Sequence, residues 1–221
     1  MSRIHGFRKY FAEVPGSVGH RFRERRWKWF TQIFRDLEDM EIIDLGGTAQ
    51  FWMRSSVRPA HVHLVNLGGL PSSQELPSWM SAEEADACDL PEHLLSRRFD
   101  LVFSNSVIEH VGGHYRRERF AENVHRLADR HWVQAPYRYF PLEPHWLFPG
   151  YAQLPLAART AIARRWKLGM TPPKDKRATV NVVLKTELPT MTEMRYYFPN
   201  SKILVERAAG LPKSLIAVKT G

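Results

Sequence analysis

Apolar positions along the chain alternate between short continuous runs and longer stretches with helical spacing. Glu41-Ile42-Ile43-Asp44-Leu45 reads as a buried strand, broken by Gly46-Gly47 and followed by a helix from about Thr48 towards Ser55. His61 to Leu67 reads as a second strand, ended by Gly68-Gly69. Residues 70–82 are rich in proline and serine and predict a loop, with a third short strand near 82–87. Phe99 to Asn105 is the strongest strand signal, a nearly unbroken apolar run of the kind a central parallel strand needs. Arg116 to Asp129 is a helix with Phe120, Val124 and Leu127 on one face, and 131–135 is a strand stopped by Pro136.

Upstream, Phe22, Trp27, Phe30, Phe34 and Leu37 recur near helical spacing over 21–40, behind an arm broken at Pro15-Gly16 and Gly19. Downstream, residues 136–150 hold four prolines and five aromatics and predict a structured loop. A helix is expected over 151–167, a basic loop over 169–178, and a short helix over 193–198 capped by Thr192. Strands at 201–207 and 214–219, turned by Gly210 and Pro212, predict an antiparallel hairpin. Alternating strands and helices imply an α/β fold, Rossmann-like and doubly wound, with helices on both faces of a mostly parallel sheet. The expected organisation is an arm and amphipathic helix over 1–40 packed on one domain over 41–221, with 136–198 covering the substrate side.

Composition narrows the partners only a little. The 221 residues suffice for one α/β domain, and the formal net charge of +9 favours something acidic. Five basic residues and one acid lie in 21–28, and seven and one in 156–180. The first run admits two readings: a solvated face of an amphipathic helix, which we favour, or a nucleic-acid contact with arginines beside Trp27 and Trp29. Cys88 is the single cysteine, which excludes an intrachain disulfide and a cysteine-based zinc site. No apolar signal core and no run near 20 apolar residues is present, so a cytoplasmic protein without a transmembrane segment is expected.

Chemistry concentrates at the ends of the strands. The turn after Asp44 lacks the three spaced glycines of a dinucleotide site; Thr48 and Gln50 follow Gly46 and Gly47. About 20 residues on, the second strand ends at Asn66, where nucleoside-binding α/β folds meet the ribose. Asp86 followed by Ala87 can pair with adenine, the carboxylate taking the exocyclic amine and the next N–H reaching a ring nitrogen. The strand 99–105 runs on into Ser106-Val107-Ile108-Glu109-His110.

Taken together, EIIDLGGT, HLVNL, DACDLP and RFDLVFSNSVIEHVGG resemble class I S-adenosylmethionine-dependent methyltransferases, most of all the small type 11 domains. The resemblance covers roughly residues 40–140. It implies a seven-stranded sheet with an antiparallel final strand, and S-adenosyl-L-methionine as cofactor. It also implies that Asp44, Gly46, Gly47 and Thr48 border the methionine part and Asn66 and Leu67 the ribose. Asp86 and Ala87 would meet the adenine, and Asn105 and Ser106 the sulfonium end. Thr48 and Gln50 stand where the family has glycines, and Asn66 where it has an acid.

Methyl transfer from a sulfonium is an in-line displacement, so the protein positions the nucleophile and removes a proton only from a hydroxyl. Candidate bases are His145, His110 and Glu143, with His145 preferred. Tyr137, Arg138, Glu143 and Trp146 belong to the loop after the fifth strand and are the expected substrate contacts. No metal is expected: His61 and His63 alternate on a strand, and His110 and His114 lack a clear carboxylate set. The resulting expectation is O-methylation of a small molecule, anionic or amphiphilic. An RNA or protein methyltransferase and a non-catalytic methyltransferase-fold binding protein are the alternatives. Nucleic acid is disfavoured, because no RNA-binding module is appended, and the oligomeric state stays open.

Overall fold

The computed structural model describes residues 17–55, 57–72, 75–166, 168 and 175–221. The arm expected over 1–20 lies outside them as far as residue 16. In chain order the described elements begin with α1 (Val18–Ile33), β1 (Glu41–Leu45), α2 (Ala49–Met53), β2 (His61–Asn66) and β3 (Met80–Glu84). There follow α3 (Glu92–Leu95), β4 (Leu101–Asn105), α4 (His114–Leu127) and β5 (His131–Pro136). Next come the two-residue strands β6 (Leu142–Glu143) and β7 (Phe148–Pro149), then α5 (Leu156–Arg165), α6 (Lys176–Leu184) and α7 (Met191–Tyr197). The strands β8 (Lys202–Ala208) and β9 (Leu211–Lys219) close the described chain.

Seven strands form one sheet in the order β3-β2-β1-β4-β5-β9-β8. The first five are mutually parallel, and β9 lies antiparallel between β5 and β8. Both faces are covered, which explains the unbroken apolar runs. Along β4, Leu101 and Phe103 enter one core and Val102 the other. One core receives Phe30 of α1 and Phe34 just beyond it against Trp52, Phe103 and Trp132. The opposite core receives Phe120, Val124 and Leu127 of α4 with Met194 and Phe198. The basic run of α1 is tied down in part: Arg26 pairs with the fully buried Glu206 at 3.0 Å, and Arg25 lies over Trp29.

Between β5 and α7 the chain builds a third, small core from Trp146, Tyr151, Ala163 and Val183. Here expectation and structure diverge. The helix expected over 151–167 is a 3₁₀ turn at Tyr151–Gln153 followed by α5. Residues 169–174 of the expected basic loop lie outside the described chain, and 176–178 are helical. Asp175 caps α6 by accepting from the Ala178 N–H at 2.6 Å, and buried Val183 anchors the helix. The valines of α6 favour strand locally, and packing overrides them. The third strand begins at Met80, so Asp86 stands beyond its end, in a turn bridged to Asp89.

Candidate functional site

Parallel strands deliver their C-terminal ends to one side of the sheet, and a cleft of about 550 Å³ opens there. Gly46, Asn66, Leu67, Asp86, Ala87, Ser106 and His110 line it, together with Val107, Arg116 and Lys185. Those first seven are residues the sequence singles out. Asp44, Gly47, Thr48 and Asn105 are absent from its lining.

The glycine turn is held from both sides. Gly46 has φ +82°, and a Cβ there would stand 2.3 Å from a methyl of Val107. A Cβ on Gly47 would fall 2.0 Å from the Asp44 carboxylate. Asp44 itself is buried and accepts from the indole N–H of Trp52 at 2.7 Å. Burial pushes its carboxyl from 3.8 up to about 7, against the hydrogen bond from Trp52. Asn66 gives the turn a role for an amide: its Nδ2 donates to the carbonyls of Gly47 at 3.1 Å and Gly46 at 3.4 Å. Its Oδ1 accepts from the Leu67 N–H at 2.9 Å. A carboxylate could not donate to those carbonyls.

Asp86 is also engaged. One oxygen accepts from the Cys88 N–H at 2.9 Å and the other pairs with Arg116 at 2.5 Å. The neighbouring guanidinium and N–H outweigh burial and hold its pKa below the ordinary carboxylate value. Ser106 turns the chain at the end of β4 with φ 60°, a strained value for a residue with a side chain. The buried Gln134 fixes it, accepting the Ser106 hydroxyl at 2.9 Å and the Ser106 N–H through its carbonyl at 2.9 Å.

The three candidate bases meet one another, and of the three only His110 lines the cleft. Glu143 is buried and its Oε2 accepts from the N–H groups of His145 and Trp146 at 2.8 and 2.6 Å. Its Oε1 lies 2.6 Å from Nδ1 of His145, so that ring donates through Nδ1. The His145 Nε2 stands 3.1 Å from Nε2 of His110. Burial first, then His145, pushes His110 down to about 4, which keeps it neutral. Glu109 is wholly buried, with its nearest oxygen 4.0 Å from His110, and burial raises its carboxyl to about 7. The view of His110 as lacking a carboxylate set is thereby corrected. Glu109 adjoins it in sequence, and the β6–β7 turn brings His145 from 35 residues away, with Glu143 two residues before it at the end of β6.

Of the expected substrate contacts, Arg138 and Trp146 line a separate polar cavity of about 30 Å³ with Glu143, Arg159 and Glu187. Trp146 is buried and stacks on Tyr151, and Tyr137 packs beside the core formed by α4 and α7. Arg116, Lys185 and Gln134 escaped the sequence reading, and Glu109 entered it only as the acid beside His110 at the end of a strand.

No protein-family profile and no curated protein matches the sequence. Solved structures match in fold. N-methyltransferase NodS from Bradyrhizobium japonicum WM9, in complex with S-adenosyl-L-homocysteine, aligns at TM-score 0.55 and 9% identity, over 99% of this chain and 98% of its own. Magnesium protoporphyrin IX methyltransferase from Synechocystis PCC 6803, with the same ligand bound, aligns at 0.53 and 10%, over 98% and 94%. The CurJ carbon methyltransferase aligns at 0.56 and 10%, over 98% of this chain and 58% of that one. The fold is therefore that of the class I S-adenosylmethionine-dependent methyltransferases. Among the described residues, no helix is long and apolar enough to cross a membrane.

Proposed function

We propose that the chain binds S-adenosylmethionine in this cleft and transfers its methyl group to an oxygen of a small, anionic or amphiphilic acceptor. The observation that carries the reading is the roughly 550 Å³ cleft at the ends of β1, β2, β3 and β4, bordered by Gly46, Asn66, Asp86 and Ser106. Its volume suits a ligand the size of a nucleoside with an amino-acid arm. The two solved neighbours that hold S-adenosyl-L-homocysteine support the choice of cofactor.

Bordered by Gly46, Asn66, Asp86 and Ser106, S-adenosylmethionine would supply an electrophilic methyl group to the acceptor oxygen, its sulfur keeping the electron pair of the broken bond as a neutral thioether. A carboxylate acceptor needs no base. A hydroxyl gives its proton to Nε2 of His145, whose ring is held by Glu143. Lys185 in the lining favours a negatively charged acceptor, the charge of Arg116 being already met by Asp86. Calorimetry is the direct test: the chain should bind S-adenosylhomocysteine with a single site, and Gly46→Ala should weaken it at least tenfold. Heat traces identical to buffer at millimolar ligand would refute the reading. His145→Ala should lower turnover of a hydroxyl acceptor and leave cofactor affinity unchanged.

A second reading has an observation of its own. Asp86 is already paired with Arg116, and the amide of Asn66 is spent on the glycine turn. These contacts favour a methyltransferase fold that binds another ligand without catalysis. The same calorimetry separates the two.

A further inference from the structure

Glu109, His110 and His145 have a geometry that methyl transfer alone does not call for. Among the described residues they are the set whose ligand atoms, one from each, lie within 4.8 Å of one another. Glu109 has no exposed surface, and neither of its carboxylate oxygens has a hydrogen-bond partner. A carboxylate buried in that state is costly unless it is protonated or faces a cation.

The two imidazoles meet nitrogen to nitrogen at 3.1 Å. One account is a simple hydrogen bond, with His110 donating through Nε2 to the lone pair of His145. That satisfies both rings and leaves Glu109 with nothing. A cation between the three satisfies all of them. Two imidazole nitrogens bound to one zinc-like ion at about 2.0–2.1 Å, in a tetrahedral array, lie roughly 3.3 Å apart. The observed separation is close to that spacing. The nearest oxygen of Glu109 lies 4.0 Å from His110 Nε2, within the 4.8 Å that spans the three ligand atoms.

The surrounding shell has the corresponding form. Metal-bound histidines commonly donate their second N–H to a carboxylate or another oxygen, which fixes the tautomer. Glu143 takes the Nδ1–H of His145 at 2.6 Å, and Thr186 Oγ1 stands 3.4 Å from Nδ1 of His110. Glu143 is in turn held by two backbone N–H groups, so the shell is rigid.

We propose that Glu109, His110 and His145 bind a divalent transition-metal ion of the zinc class, with Glu143 holding His145 in the ligating tautomer. Two imidazoles and one carboxylate make a three-ligand set, which leaves a coordination position open. His110 lines the large cleft, so the open position faces whatever ligand lies there. Metal binding itself is independent of the methyl-transfer reading. On that reading the open position would take the acceptor oxygen, and His145, with its lone pair on the ion, would be a ligand in place of a base.

The untagged chain, stripped with a chelator and titrated with zinc chloride in the calorimeter without any cofactor, should bind one equivalent. The double variant His110→Gln/His145→Gln should lose at least a hundredfold in affinity. Glu143→Gln, which keeps all three ligands, should lose about tenfold to a hundredfold. The wild type loaded with cobalt should show the intense visible absorption of a low-coordinate site. That measurement needs no variant, and it decides the matter if the double variant loses its circular-dichroism spectrum. Zinc binding of equal strength by wild type and folded double variant would overturn the proposal. So would the absence of saturable zinc binding by a wild type that binds S-adenosylhomocysteine. A chain that binds zinc at this site and no S-adenosylhomocysteine would uphold the metal centre and overturn the methyltransferase assignment.

Discussion

Asp44 and Asn66 show how single side chains build the glycine turn. The folded-state pKa of Asp44 is raised above 3.8, so between about pH 4 and pH 7 the folded chain binds more protons here than the unfolded one. Its contribution therefore favours folding at low pH and is lost as pH rises through about 7. Asp44→Asn keeps an acceptor for Trp52 and carries no charge. Its stability relative to wild type should rise steadily between pH 4.5 and pH 8, as read by urea denaturation at each pH. A flat difference would show that Asp44 is ionised in the folded state throughout. Asn66→Asp tests the second residue. It replaces a donor to two backbone carbonyls by a like-charged acceptor, and should cost roughly 1–3 kcal/mol of stability. The same urea experiment reads it at neutral pH.

At the scale of elements, the segment between β5 and β8 depends on caps and ties more than on apolar periodicity. Thr190 and Glu193 form a capping box at the start of α7, the Thr190 hydroxyl accepting from the Glu193 N–H and the Glu193 carboxylate from the Thr190 N–H. Thr190→Ala should lower stability by about 1 kcal/mol, measured as a shift in the urea midpoint with unchanged slope. Arg117 of α4, itself buried, spans from Glu193 at 3.1 Å to Glu187 at 2.8 Å and so fastens this segment to the sheet domain. These long-range partners explain what was legible beforehand. Strands β1, β2, β4 and β5 could be read because each is apolar on both faces, and that pattern is local. The helix α6 could not, because three valines speak for strand and only contact with Trp146 and Ala163 makes the helix. The cleft was legible as far as Gly46, Asn66, Asp86 and Ser106, which end strands or follow them. The meeting of His110 with His145 was not, since it depends on how a proline-rich loop folds back.

Over the whole molecule, α1 acts as a clamp across the sheet. Its aromatics fill one core, and Arg26 reaches Glu206 of β8, which Lys213 of β9 also contacts at 3.2 Å. Glu206 has no exposed surface, so removing Arg26 leaves a buried carboxylate with one weaker partner. Arg26→Met should cost about 3 kcal/mol, near the lower figure for breaking a buried pair, and a thermal melt would record it. Glu206→Gln/Arg26→Met should recover part of the loss. The position of β9 has a consequence for how the chain comes to be made. The strand that joins β5 to β8 follows both of them in the chain, and its register pairs His131 with Lys219. A nascent chain that has reached Gly210 has five parallel strands with an open edge at β5, and a β8 that has nothing to join. Until Leu211 to Lys219 emerges, that edge can recruit a strand from another chain. The edge of β5 is thus open to misassembly until β9 is available to cover it.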